Sequence, residues 1–377
     1  MYSGIYIHLP ICKSRCIYCD FYSQTDPDLE GRIIESLLSE IELTARKYSS
    51  FSAQTIYLGG GTPSCFADEN IEKLLHAAIS NFASPAENLK EITIEMNPDA
   101  VDLDKLNNYK DFGINRISLG LQSFDDKVLQ FLMRRHNAEQ SLNSIELIKE
   151  SGFTNFSIDL IFAIPNQTIP QFKESLETAI NLKPPHISLY CLTYEQGTEL
   201  NKMLNSGAVA ALSDDTQTEM FREAIVMLKN AGYRQYELSN FALPGHECRH
   251  NLIYWKMGDY LGFGPSAHSL YQKARWGNYP DLKKYADSLK SEELPRFSKE
   301  QLSSERQAEE YLMLSLRLDE GADLRRYQKI SGIDLIRSKK PIIKGLLQRG
   351  PAEINNDRLR LTLDGIMVAD EIIAQLI

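Results

Sequence analysis

Short runs of β-branched and aromatic residues recur through the first half of the chain: Ile5 to His8, Thr55 to Leu58, Ile92 to Glu95, Arg116 to Leu119, Phe156 to Ile161 and Ile187 to Tyr190. Helix-spaced apolar residues lie between them. After the first run come Ile33, Ile34, Leu37, Leu38 and Ile41, behind Asp26 as N-cap and Pro27 at the first helical position. After the second, Ile71, Leu74, Leu75, Ala78, Ile79 and Phe82 repeat the pattern. Alternating strand and helix predicts a parallel sheet with right-handed crossovers. Six units over about 190 residues suit an α/β fold with an open, partial (β/α)6 barrel; a closed barrel would need eight.

From Thr193 the alternation stops. A helix is predicted from Ser213 to Asn230, followed by a turn-rich stretch, 240 to 300, read as part of an α+β extension of the barrel. Leu294-Pro295 reads as a linker. The expected divisions are therefore a barrel at 1–193, its extension at 194–294, and a small module at 295–377. The module shows a helix over Glu305 to Leu318, a shorter helical pattern, a hairpin turning near Asn355-Asn356-Asp357, and a last helix. That order matches a winged-helix-like module. Arg325, Arg326, Lys329, Arg337, Lys339, Lys340 and Lys344 are candidates for phosphate contacts there, against the plainer reading of a solvated basic face or a protein-docking domain.

Charge weighs against the first reading. The chain has 51 acids and 41 bases, a net charge of -10, so no nucleic-acid partner is expected. No window approaches an uninterrupted apolar membrane span, and the start lacks a secretory signal pattern, so a cytoplasmic protein is expected. Of six cysteines, Cys12, Cys16 and Cys19 fall within eight residues, while Cys65, Cys191 and Cys248 stand alone. Three closely spaced thiolates suit an iron–sulfur cube with one iron left to chelate a small molecule. A tetrahedral zinc site, the alternative, usually wants four ligands and a second pair.

In an open α/β sheet, ligands bind beyond the carboxyl ends of the strands. Beyond the first strand stand the cysteines; beyond the second, Gly59-Gly60-Gly61-Thr62-Pro63. The third ends at Glu95, Gln122 lies just past the fourth, and Asp159 is within or at the end of the fifth. Five such features at one end of one sheet mark a site.

The segment CKSRCIYC after YIHLP resembles the CxxxCxxC signature of radical S-adenosylmethionine (SAM) enzymes, and GGGTP resembles their glycine-rich strand end. EITIEMNP, RISLGLQSF, LMRRHN, SIDLIFAIPNQT, SNFALPGHECRHNLIYW and YLGFGPSAHS extend the likeness over nearly the whole chain. Together they resemble the family of oxygen-independent coproporphyrinogen III oxidases and its HemW-type haem chaperone branch. The resemblance implies a [4Fe-4S] cluster on Cys12, Cys16 and Cys19, with SAM on the open iron. Gly60, Gly61 and Thr62 would meet the methionine end of SAM, and Glu95, Gln122, Arg134 and Asp159 its other polar groups. Tyr6 would line the cavity, and Tyr18 would contact adenine.

The oxidase pattern has a fourth cysteine two residues after the third, where this chain has Phe21, and a longer segment before the cluster than the eleven residues here. Both differences fit the chaperone branch. So does HNLIYW, whose His250 is the haem ligand that the resemblance implies; His246 and Cys248 compete for the role, and alone His250 reads as a structural histidine. His268 and His136 are read as structural. The implied function is to hold haem and pass it to an acceptor protein, which can be membrane-associated, without porphyrinogen oxidation. The alternative is radical SAM decarboxylation of coproporphyrinogen III to protoporphyrinogen IX. The implied partners are haem or a porphyrinogen, the acceptor, and an electron donor.

Overall fold

The structure, a computed structural model, describes residues 3–83 and 89–377. The six expected strands form as β1 (Ser3–Leu9), β2 (Thr55–Gly60), β3 (Glu91–Met96), β4 (Arg116–Gln122), β5 (Phe156–Phe162) and β6 (His186–Cys191). Each is parallel to the next. They alternate by residue. Ile5, Ile7, Ile56, Leu58, Ile92, Ile94, Ile117, Leu119, Ile158, Leu160, Ile187 and Leu189 are buried in the main hydrophobic core, which they share with the flanking helices. Each such side chain contributes about 1.5–3 kcal/mol on burial. That face holds the sheet together, so the concave face is free to carry Tyr6, His8, Tyr57, Glu95, Ser118, Ser157, Asp159 and Ser188.

The helix Glu30–Lys47 buries Ile33, Ile34, Leu37 and Ile41, and the helix Asp68–Phe82 buries Ile71, Leu74, Leu75, Ala78 and Phe82. Asp26 and Pro27 do not open the first helix itself. They open a 3-10 turn, Pro27–Leu29, in which the Asp26 carboxylate accepts from the Asp28 amide, and the α-helix follows at Glu30. Ser213 caps the helix Asp214–Asn230 as expected.

The region from 240 to 300 departs from the turn-rich expectation. With β7 (Arg234–Glu237) just before it, it supplies β8 (Asn240–Ala242), β9 (Asp259–Phe263), β10 (His268–Tyr271), β11 (Ala274–Asn278) and β12 (Arg296–Gln301). These widen the sheet at both edges, giving the order β12-β11-β10-β9-β1-β2-β3-β4-β5-β6-β8-β7. β9 runs parallel beside β1, and the other additions are antiparallel. These strands are short, and Gly262 and Gly277 interrupt their apolar alternation. β12 lies beyond Leu294-Pro295, so the sheet's edge strand follows the expected linker.

The helix Arg249–Trp255, formed by RHNLIYW, seats against the amino-terminal ends of the first strands, opposite the cysteines. The Glu91 carboxylate at the start of β3 accepts from the amides of Arg249 and His250 at 3.0 and 2.9 Å, which satisfies two free donors of the helix start.

After β12, the helix Ser304–Ser315 leads into a small sheet of β13 (Ala322–Asp323), β14 (Ala352–Asn355) and β15 (Arg358–Leu361), in the order β13-β15-β14. Asn356 and Asp357 have φ of 50° and 59°, the left-handed pair that a two-residue hairpin turn requires. Several of the basic residues here hold the fold: Arg325 pairs with Asp357, Arg326 lies 4.8 Å over the Tyr311 ring, and Lys339 donates to the carbonyls of Gln375 and Ile377.

Candidate functional site

The cysteines lie in a closed loop beyond β1. Ile11 and Gln24 bridge its ends, with the Cys12 amide donating to Gln24 O at 2.9 Å and the Gln24 amide to Pro10 O at 2.6 Å. The glycine strip is stitched to the base of this loop, Gly61 N to Leu9 O at 2.9 Å and Thr62 N to Ile11 O at 2.8 Å. Here the glycines make room first for the chain itself. A Cβ on Gly61 would stand 2.7 Å from Ile11 O, and one on Gly60, whose φ is +111°, would strike the His8 ring.

A ring of polar contacts joins two of the thiols. Thr62 Oγ1 donates to Cys12 Sγ at 3.7 Å and accepts from Asn97 Nδ2 at 3.1 Å. Asn97 Oδ1 accepts from Arg134 Nη2 at 2.7 Å, and Arg134 Nη1 donates to Cys16 Sγ at 3.5 Å. Gly120 O holds the same guanidinium at 2.7 Å, while Arg134 Nε is buried without a partner. Lys13 and Arg135 both pair with Asp99, tying the cysteine loop to the loop after β3. Burial raises the Cys12 and Cys19 thiols above their ordinary pKa, with the charges of neighbouring thiols adding to it. Among the described residues no three His, Cys, Asp or Glu side chains converge on the point that a single ion would occupy. Three thiols on one short loop suit a cluster, in which each of three irons would take its own thiolate.

The carboxyl groups lie deeper on the concave face. Glu95 accepts from Tyr57 OH at 2.9 Å and from Gly60 N at 3.1 Å, yet burial pushes its pKa up to about 7. Asp159, in the middle of β5, accepts from Ser118 and Ser157 at 3.1 and 3.0 Å, and burial raises it too. Gln122 sits at a bulge in β4 with φ of 70°, its amide folded back over Gly120. Tyr6 faces Tyr57 at 6.2 Å and bonds His8 Nδ1 at 3.0 Å, and His8 Nε2 meets Tyr22 O at 2.8 Å. Tyr18 packs in a small apolar cluster with Ile17 and Leu132, close to Arg134. Phe21 is 62% exposed.

The structure links Cys12, Thr62, Arg134 and Cys16 in one chain of contacts and sets Glu95 against Gly60, with Asp159 farther back in the middle of β5. Sequence reasoning missed Asn97, the link between Thr62 and Arg134, although it lies two residues past Glu95 in the quoted EITIEMNP. It also missed Cys65, isolated in sequence but close enough for its charge to act on Cys12.

His250, the haem ligand that the resemblance implies, stands apart from these residues. It lies at the opposite end of the sheet, is 1% exposed, and has both ring nitrogens engaged, Nδ1 with Thr55 Oγ1 at 2.7 Å and Nε2 with Tyr254 OH at 2.8 Å. Burial, with Arg116 nearby, lowers its pKa to about 3. Both ring nitrogens are hydrogen-bonded in this structure. Cys248 is fully buried as well.

The fold and this site define a radical SAM protein: the chain matches the Radical SAM superfamily over residues 6–179 and the HemN C-terminal domain over residues 302–368. Coproporphyrinogen III oxidase (HemN) from Escherichia coli has the same fold, with a TM-score of 0.86, 21% identity, and coverage of 100% of this chain and 90% of that one. Among curated relatives, Heme chaperone HemW of Bacillus subtilis is 32% identical over 97% of both chains. That of Mycobacterium tuberculosis H37Rv is 33% identical over 99% of this chain and 94% of its own. The chain belongs to the HemW family.

Proposed function

We propose that this chain is a haem chaperone, which takes up haem and passes it to an acceptor protein. The observation that carries this reading is likeness to proteins named Heme chaperone HemW over essentially the full chain. The fold is common to chaperone and oxidase and does not choose between them. Phe21 favours the chaperone, because a phenylalanine ring stands exposed where the oxidase pattern places a fourth cysteine.

Cys12, Cys16 and Cys19 would hold a [4Fe-4S] cluster, which supplies an electron and an open iron for SAM. Arg134 is held in place by Asn97 and Gly120 and keeps a buried Nε–H without a partner, which a carboxylate would satisfy. Glu95 and Asp159, whose charged forms burial disfavours, would regain them beside the cationic ammonium and sulfonium groups of SAM. Thr62 and the backbone at Gly60 and Gly61 would border the methionine end, Gln122 the polar groups, Tyr6 the cavity wall and Tyr18 the adenine. His250, the haem ligand that the resemblance implies, would have to exchange a hydrogen bond to Thr55 or Tyr254 for iron. No helix among the described residues is long and apolar enough to cross a membrane.

The test is transfer. Haem-loaded protein mixed with an apo-acceptor, such as an apocytochrome, should lose its Soret band as the acceptor gains one. Haem that stays on the protein while free haem equilibrates readily with the acceptor would refute a chaperone.

A further inference from the structure

Resting on the chaperone reading and on the ligand that the resemblance implies, we propose that Tyr254 caps His250 Nε2 in the haem-free protein and turns away to expose it, while Thr55 fixes the tautomer that can ligate iron. The imidazole itself is held against the sheet. Thr55 Oγ1 of β2 meets Nδ1 at 2.7 Å, and the Tyr57 ring of the same strand lies 5.2 Å off. On β1, a Cβ at Gly4 would stand 3.0 Å from His250 Cε1 and 2.6 Å from Thr55 Oγ1, so the glycine lets the ring lie close on the strands. Two central strands thus fix the ring, and a hydrogen-bond partner must leave if iron is to bind.

The two partners differ in this respect. Thr55 is 2% exposed and lies in the ladder between β1 and β3. Tyr254 OH, 2.8 Å from Nε2, comes from the last turn of the seven-residue helix Arg249–Trp255, just before Met257 with its φ of 54°. Such helix ends fray. Tyr254 also borders a cavity of about 320 Å³ between the sheet and the helix Ser304–Ser315, walled by Met257, Tyr260, Leu270, Met313 and Leu314. Of the two partners, the phenol is the one with space to enter.

The protons follow from this choice. Iron takes the lone pair of Nε2, so the imidazole proton sits on Nδ1 and is donated to Thr55 Oγ1. In the haem-free protein the same tautomer leaves Nε2 to accept from the Tyr254 hydroxyl. Uptake then replaces the O–H to Nε2 bond by iron to Nε2, with no proton gained or lost. Burial, with Arg116 nearby, keeps the ring in the neutral form that this exchange requires.

The experiment follows ferric haem at the Soret band, by stopped flow and by titration, on wild type, Tyr254→Phe, Thr55→Val, Met313→Trp and His250→Ala, each first shown to carry a full cluster. Tyr254→Phe lacks the hydroxyl that competes with iron. It should keep the wild-type Soret position, take up haem faster and bind it roughly fivefold tighter. Met313→Trp, which fills the cavity, should slow uptake without moving the final band. Thr55→Val should weaken binding roughly tenfold or more and raise the haem reduction potential, because an imidazole without its Nδ1 acceptor donates less to ferric iron. A potential unchanged in Thr55→Val overturns the tautomer role. Haem uptake that is no faster and no tighter in Tyr254→Phe than in wild type, or that His250→Ala leaves unchanged, overturns the cap and leaves the chaperone reading standing. No uptake by wild type removes both.

Discussion

Replacing His250 by alanine in haem-free protein separates a structural imidazole from an iron ligand. Its loss leaves two buried hydroxyls, Thr55 Oγ1 and Tyr254 OH, without their partners at 2.7 and 2.8 Å. Each costs about 1–3 kcal/mol. The vacated ring, packed 5.2 Å from Tyr57 and 5.1 Å from Tyr254, adds roughly 1–2 kcal/mol after partial collapse or entry of a water. The total is about 3–8 kcal/mol. With unfolding entropy of about 2.1 cal/mol/K per residue over the roughly 300 residues of the sheet domain, the slope is about 0.6 kcal/mol per degree. The thermal midpoint should fall by about 5–13 °C. The pH dependence has a definite sign. Burial holds His250 near pKa 3, so the unfolded state takes up a proton that the folded state refuses as pH falls below about 6.5. Wild type should therefore lose stability on acidification more steeply than His250→Ala. Calorimetry of cluster-matched, haem-free samples at two pH values is the assay, with Thr55→Val completing a double-mutant cycle. An unchanged midpoint in the absence of haem, together with a lost Soret band in its presence, would refute the structural role.

Cys12→Ala, Cys16→Ala and Cys19→Ala should each abolish the [4Fe-4S] absorption after anaerobic reconstitution, while Cys65→Ala and Cys191→Ala retain it; zinc without an iron chromophore in wild type would count against the cluster. Glu95, poised near pKa 7 by burial, should lose its proton when a cationic ligand arrives. SAM binding near pH 7 should then release protons, measured by calorimetry in buffers of different ionisation enthalpy, and affinity should fall as pH drops below 7. Glu95→Gln should remove the release; release that persists in this variant assigns the proton elsewhere.

The parallel strands were legible because each buries one face: Ile5 and Ile7 alternate with Tyr6 and His8, and the same rhythm returns in β2 to β6. The cysteine loop was legible because its three ligand candidates are local. What escaped is set by contacts distant in sequence. Asn97 matters only because Thr62 and Arg134 converge on it, 35 and 37 residues away. β9 and β11 are five residues long and each carries a glycine, Gly262 and Gly277, which hides their period. His250 carried a motif but no sign of its direction; only the pairing with Thr55, 195 residues earlier, turns it into the base of the sheet.

Haem uptake and porphyrinogen turnover, followed in one anaerobic preparation with a full cluster, SAM and a strong reductant, test the central claim most directly. The expected result is a stable haem complex that passes its haem to an apo-acceptor, with no protoporphyrinogen IX formed from coproporphyrinogen III. Multiple turnovers of coproporphyrinogen, with two carboxyl groups released per molecule, would contradict it and make the chain an oxidase in spite of Phe21.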